Sequence, residues 1–317
     1  MKKYYTVIIG LMIVLLISGC TNDFIFGEKD LFEDASPNMN EQVEYRENLG
    51  KFDKLVLEID LTVSGVKISS TDSDELIYKQ IANRKDLLAE MDVDTSGKTI
   101  TLTFKNDPDK KINIGTQNSQ TEIFIPENLL TDLGVDLNVG DLNIKGEQLS
   151  FENIEVGLDV GALDIIISDD QDQLGEIELS SNVGDLVLEL KGNFPALHTL
   201  KTLTDVGSNS VTLDGEYGEK LSLKGESHVG ELTYQIIGDF EKNVDAVLTS
   251  NTGELNLKLP KNSPVELITE SNEFTSKVEI NLDDYTIKND VYLFNTSGNG
   301  GEISIKASVN IGDLTVN

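Results

Sequence analysis

Val135-Asp136-Leu137-Asn138-Val139-Gly140-Asp141-Leu142-Asn143-Ile144 holds a strand, a corner and the start of a second strand. Val135, Leu137 and Val139 alternate with polar residues. After Gly140-Asp141 the alternation resumes at Leu142 and Ile144 in the opposite phase. A period of two is a strand with one buried face. A phase switch means that two residues have been inserted without pointing inward. The Gly-acid pair is therefore a turn: glycine allows φ > 0, and the acid points to water.

The unit repeats. The signature returns at Val160-Gly161-Ala162-Leu163, Val183-Gly184-Asp185-Leu186, Val229-Gly230-Glu231-Leu232 and Thr252-Gly253-Glu254-Leu255. Further copies read Gly300-Gly301-Glu302-Ile303 and Ile311-Gly312-Asp313-Leu314, with a looser one at Val206-Gly207-Ser208. From Gly140 to Gly253 the glycines are spaced 21, 23, 23, 23 and 23 residues apart. The step to Gly301 spans about two periods, with a degraded copy near Asn272-Glu273-Phe274, and the last step is half a period. Two short strands and two turns per period predict an all-β fold, a β-solenoid of about 23-residue coils that bury their apolar rows by stacking. A β-roll or a sandwich of hairpins is the alternative with the same strand pattern.

Residues 51–130 carry a variant of the unit. Leu57, Ile59, Leu61 and Val63 alternate, Ser64-Gly65 turns, and Val66 and Ile68 follow. Strands are expected near Leu76–Ile81 and Ile100–Phe104, with a short helix around Asp86–Glu90. This region reads as the N-terminal β cap of a solenoid at 131–317, since a solenoid must close its first edge.

The start of the chain reads as an address. Lys2 and Lys3 precede an apolar run from Tyr4 to Ile17, too short to span a bilayer core of roughly 30 Å comfortably. Ile17-Ser18-Gly19-Cys20 follows and resembles the lipobox of bacterial lipoproteins. The resemblance implies a signal peptide at 1–19, cleavage before Cys20, and acylation there with chains such as palmitate. Two or three chains hold a protein stably on a membrane. The expected place is the extracytoplasmic face of a bacterial membrane. Residues 20–50 then read as an acidic flexible tether, with eight acids, two bases and Pro37.

The whole sequence of 317 residues has 56 acids, 25 bases, two histidines, one cysteine and no tryptophan. The net charge of −31 becomes −33 without Lys2 and Lys3, and a field of that sign repels nucleic acid. Cys20 stands alone, which leaves no internal disulfide and no cysteine metal site. His198 and His228 have no paired spacing and read as surface residues. Ser64-Gly65-Val66-Lys67 matches a Ser-x-x-Lys pattern, but that chemistry needs both groups on one helical face. In a strand, positions three apart lie on opposite faces. Asp169-Asp170 and Asp283-Asp284 suggest the acid pairs of polysaccharide-cleaving solenoids, but they fall in turns without sugar-stacking aromatics. Gly298–Gly301 lacks the Lys-Ser/Thr of a phosphate loop.

The corner acids Asp141, Asp185, Glu231, Glu254, Glu302 and Asp313 share one repeat position. Stacked in register they would form a column, with Ala162 and Ser208 as gaps. Such a column either splays into water or takes up a cation.

With a Gly-acid-apolar-x-apolar repeat, a first strand-Gly-strand block and the aliphatic-Pro step Phe124-Ile125-Pro126, residues 51–317 resemble the putative-adhesin, or toast-rack, domains of unknown function (DUF4097-like). Members are commonly secreted or tethered envelope proteins, some linked to envelope stress. The resemblance implies no catalytic residue and no cofactor. The expected function is a non-enzymatic, lipid-anchored, adhesin-like envelope module. Its expected partners are the membrane through Cys20 and a cationic peptide, cell-wall or protein ligand. A polysaccharide-active enzyme and a structural spacer are the alternatives.

Overall fold

The computed structural model describes residues 39–106, 118–127, 129–271, 275–282, 285–289 and 291–317. The signal at 1–19, Cys20, the tether up to residue 38, Asn272-Glu273-Phe274 and Asp283-Asp284 lie outside them.

The first described strand is β1 (Glu41–Asn48), and β2 (Lys54–Val63) with β3 (Gly65–Thr71) forms the first coil. The cap strands are β4 (Glu75–Ala82), β5 (Glu90–Ser96), β6 (Thr99–Lys105) and β7 (Ser119–Pro126). The second coil is β8 (Leu130–Val139) and β9 (Leu142–Lys145), and the third is β10 (Ser150–Val160) and β11 (Leu163–Ile167). The next three coils add a short third strand. They are β12 (Glu176–Val183), β13 (Leu186–Leu190) and β14 (Asn193–Phe194), then β15 (Thr199–Val206), β16 (Asn209–Leu213) and β17 (Glu216–Tyr217), then β18 (Leu221–Val229), β19 (Leu232–Ile236) and β20 (Asp239–Phe240). The seventh coil is β21 (Val244–Thr252) and β22 (Leu255–Lys258). The chain closes with β23 (Val265–Ser271), β24 (Ser276–Ile280), β25 (Tyr285–Lys288), β26 (Val291–Phe294) and β27 (Ile303–Val316).

The solenoid expected from the repeat is present. The strand before each corner pairs in parallel with its counterpart in the next coil, in the order β2-β8-β10-β12-β15-β18-β21. This is sheet 1. The strands after the corners do the same in the order β3-β9-β11-β13-β16-β19-β22, giving sheet 2. The apolar rows meet between the sheets. Leu142, Leu163, Leu186, Leu232, Leu255 and Leu314 are at most 1% exposed.

The corner works as the sequence suggests, and for a second reason. Gly184 has φ 145°, and a Cβ there would lie 1.7 Å from the carbonyl oxygen of Gly161. Each corner N–H donates to the next coil, as Gly184 N does to Val206 O at 2.9 Å. Glycine is thus required by torsion and by the closeness of the coil below. A second corner, which the Val-Gly signature does not reveal, stacks Gly192, Gly215 and Gly238 and carries Phe194, Tyr217 and Phe240 in a column with ring centroids 5.5 and 4.8 Å apart.

Four expectations are corrected. The acidic stretch 20–50 is not all tether, because Val43 and Tyr45 of β1 alternate with polar residues and pack on the core, and β1 pairs antiparallel with β4. The helix near Asp86 is a single 3-10 turn at Lys85–Leu87, and the chain is a strand again from Glu90. Val139, Val160, Val183 and Val206 do not continue the buried row. They lie half-exposed at the rim of the corner, and Val229 and Ile311 are 49% and 53% exposed. At the bend the residue before glycine no longer faces the opposite sheet.

The fourth correction concerns the end of the chain. Gly301 is not a corner; Gly312 is the residue that stacks on Gly253. Residues between them form another coil, β23 and β24, and an antiparallel pair, β25 and β26. β27 then enters between coils already laid down. Its Ile303–Ile311 half pairs with β21 on one side and its Ile303–Val309 part with β23 on the other; beyond the corner it pairs with β22 and β24. Leu314-Thr315-Val316 is therefore interior, paired with β22 on one side and β24 on the other.

Candidate functional site

The outer face of sheet 1 carries a groove of about 680 Å³ that crosses strands from β6 to β18. Its N-terminal half holds Glu58 and Asp60 on β2, Asp136 on β8 and Glu155 on β10. Asp60 and Asp136 are direct partners across β2–β8. Like charges placed opposite each other destabilise a sheet. Burial, then the charges of Asp60 and Asp159, push the Asp136 carboxyl above its ordinary value.

Two glycines form the floor. Gly134 pairs with Glu58 and Glu155, and Gly157 with Asp136. Neither has a positive φ. A Cβ at Gly134 would come no nearer than 4.0 Å to Leu57 O, and one at Gly157 no nearer than 3.7 Å to Asp136 Oδ1. Glycine in a strand costs about 0.5–1 kcal/mol against alanine, so neither space nor torsion accounts for these two. What they do provide is an open floor where another chain can approach the backbone.

The lysines lining the groove are held by other acids. Lys201 pairs with Glu178 and, at 3.6 Å, with Glu176; Lys224 pairs with Glu226 at 3.1 Å, and Lys105 with Asp92 at 3.7 Å. Lys105 also stands opposite Asp60 across β2–β6, and against this one base Glu58, Asp60, Asp136 and Glu155 leave this half of the groove acidic. Such an arrangement can hold a cation by charge and hydrogen bonding.

The corner acids have another role. Asp141, Asp185, Glu231, Glu254 and Asp313 stack in one column, while Glu302 lies outside it, because Ile303 pairs with Val244 at the start of a coil. Asp141 Oδ1 accepts the Ala162 N–H at 2.8 Å, Asp185 Oδ1 the Ser208 N–H at 2.9 Å, and Asp313 Oδ1 the Lys277 N–H at 3.2 Å. The gaps at 162 and 208 are the positions whose N–H groups the neighbouring acids bind. Among the described residues no group of three or more His, Cys, Asp or Glu is arranged to hold a metal ion.

The other candidates are scattered. Ser64 is buried and bonded to Thr121 Oγ1 at 2.8 Å, while Lys67 points outward from β3. Asp169 Oδ2 accepts the Gln148 N–H at 2.6 Å, and Asp170 Oδ1 the Asn193 N–H at 2.9 Å, so both staple neighbouring coils. His198 is exposed beside Thr199, and His228 Nδ1 lies 2.8 Å from Asp205 Oδ1 on the surface.

That last pair belongs to a row that the Val-Gly signature misses. Asn138, Asp159, Asn182, Asp205, His228 and Asn251 stand two residues before successive corner glycines. Asn182 Nδ2 donates to Asp159 Oδ1 at 2.7 Å, and Asn310 Nδ2 to Asn251 Oδ1 at 2.9 Å. Extending the signature by one position to the left would have found it.

Residues 32–189 match the family model for the N-terminal domain of toast_rack, DUF2154. Among solved structures the chain is similar to a "putative cell adhesion protein" from Clostridium sporogenes, with 15% identity, 87% of this chain and 98% of that one covered, and a TM-score of 0.35. It is also similar to a "putative adhesin" from Bacteroides fragilis, with 13% identity, 87% and 97% covered, and a TM-score of 0.36. No curated protein matches.

Proposed function

We propose that this chain, which carries a toast-rack N-terminal domain at residues 32–189, is a non-enzymatic, adhesin-like binding module of a bacterial envelope surface. Lipids on Cys20 hold it at the outer face of the membrane. The groove on sheet 1 takes a cationic segment of a cell-wall-associated or protein partner. The observation that carries this reading is the facing pair Asp60 and Asp136 above a floor of two glycines that no backbone constraint requires.

The test is binding of the full chain to basic peptides of equal charge and different sequence, with a neutral peptide as control. Selective, saturable binding is expected. Replacing both Asp60→Asn and Asp136→Asn should weaken it about tenfold or more, since hydrogen bonds to charged groups contribute about 1.5–3 kcal/mol. The raised pKa of Asp136 sets the sign of the pH effect. Asp136 takes up a proton at a higher pH than an ordinary carboxylate, so affinity should begin to fall earlier on acidification, and Asp136→Asn should remove that early phase. Binding that follows charge alone and vanishes by about 0.15 M salt would leave the acidity as a solvation device and favour a spacer.

The anchor has its own readout. Cys20→Ser should abolish acyl labelling and move the protein out of the membrane fraction. Unchanged membrane association would refute the lipid anchor without touching the groove.

A further inference from the structure

An apolar line runs along the corner, in the residue before each corner glycine and, in the first coil, before Ser64. It starts at Val63, paired with Val139, and passes through Val160, Val183, Val206 and Val229 to Ile311. Thr252 is its one polar position, between Val229 and Ile311. Neighbouring coils lie about 4.8 Å apart, so Val160 to Ile311, five steps, covers roughly 24 Å. Polar rows border it on both sides: the Asn/Asp row, with Asp159 and Asp205, and the corner acids, with Asp185, Glu231, Glu254 and Asp313.

The chain covers one end of this line itself. Val63, 8% exposed, and Val139 cluster with Ala82, Leu87 and Leu88. These belong to Ala82-Asn83-Arg84-Lys85-Asp86-Leu87-Leu88, which holds the 3-10 turn and joins two leucines to two basic residues. Among the described residues this cover reaches no further than Val139, and exposure rises from half-exposed at Val160, Val183 and Val206 to 49% at Val229 and 53% at Ile311. Rows of exposed apolar residues rimmed by polar ones mark interaction sites.

We propose that the line from Val160 to Ile311 docks an amphipathic helical segment of a partner protein. The segment is apolar on one face and carries Lys or Arg on the flank that meets the corner acids. About 16 helical residues span the length at 1.5 Å each, and the 5.4 Å pitch brings one turn near each coil. The corner carboxylates Asp185, Glu231, Glu254 and Asp313 supply charge complementarity along one flank, and the chain's own cover shows that leucine side chains fit the line. This surface lies at the corner, apart from the groove, and does not depend on it.

The test uses the full chain and a synthetic helical peptide of about 18 residues, made of Leu on one face and Lys on the other. A scrambled peptide of the same composition is the control. Anisotropy is read at about 0.5 M salt, where the Debye length lies between about 3 and 8 Å. The amphipathic peptide should bind at least about tenfold more tightly than the scrambled one. The triple variant Val206→Ser, Val229→Ser, Ile311→Ser should erase that preference, while Asp60→Asn with Asp136→Asn should leave it intact. Because Val229 and Ile311 are exposed, the variant should melt with the parent; if it does not, Ile311→Ser alone is used and should still reduce the preference. Equal binding of the two peptides, or an unchanged preference in the variants, would overturn the proposal. So would a dimer in light scattering, or binding to zwitterionic vesicles, that the variant abolishes. Those results would assign the line to a second copy or to a lipid surface.

Discussion

Gly184→Ala should destabilise the fold by about 3 kcal/mol or more. Two costs combine: a non-glycine residue held in a nearly glycine-only region costs about 1–3 kcal/mol, and overpacking costs a similar amount. The added Cβ would sit 1.7 Å from Gly161 O and 2.7 Å from its carbonyl carbon. That oxygen belongs to the backbone of the adjacent coil, so no rotamer change relieves the contact and the coils must part. The measurement is the urea midpoint, with hydrogen exchange at the amides of β10 to β16 to locate the damage. Gly134→Ala is the control. Its Cβ meets nothing closer than 4.0 Å, and it should be neutral or stabilising by about 0.5–1 kcal/mol. Similar midpoints for Gly184→Ala and the parent would mean that the corner tolerates a side chain and that the stacked glycines do not set the coil spacing.

Ending the chain after Glu302 should unfold the C-terminal coils, although only one strand is lost. β27 buries Ile303, Ile305, Val309, Leu314 and Val316 to 1% exposure or less. At about 1.5–3 kcal/mol for each fully buried side chain, these burials rival the 5–15 kcal/mol by which whole domains are stable. Removing β27 also strips partners from both neighbours at once, β21 and β22 on one side and β23 and β24 on the other. Exchange protection should therefore vanish across β21–β24 while β8–β13 stay protected, as stability in a stacked array is local. A synthetic peptide of residues 303–316 should restore protection in trans. If β23 and β24 remain protected without β27, the coil they form stands on β21 and β22 directly, and the slot is not part of the folding design.

Much of this architecture is legible in single residues. The phase switch between Val135-Asp136-Leu137 and Leu142-Asn143-Ile144 predicts a strand, a corner and a strand, and the structure has them. The period of 23 follows from Gly161, Gly184, Gly207, Gly230 and Gly253 because a stacked coil demands the same torsion at the same place. The sequence misleads where a local motif mimics the corner. Gly301-Glu302-Ile303 has the right letters, yet Ile303 begins a strand rather than following a corner, because its partner is Val244. The groove is not legible in the sequence. Asp60 and Asp136 are separated by the whole cap, and nothing local marks Gly134 and Gly157 as floor rather than corner.

Periodicity and corner chemistry are properties of neighbours along the chain, so the sequence by itself determined the strands, the glycine corners, the stacking period and the sign of the surface charge. Which strand lies beside which is settled by burial between distant segments, so only the tertiary structure decided that β27 enters between coils laid down before it. The same physics brought two acids together over an open floor. It also left the valine line buried at Val63, beside Leu87 and Leu88, and 53% exposed at Ile311.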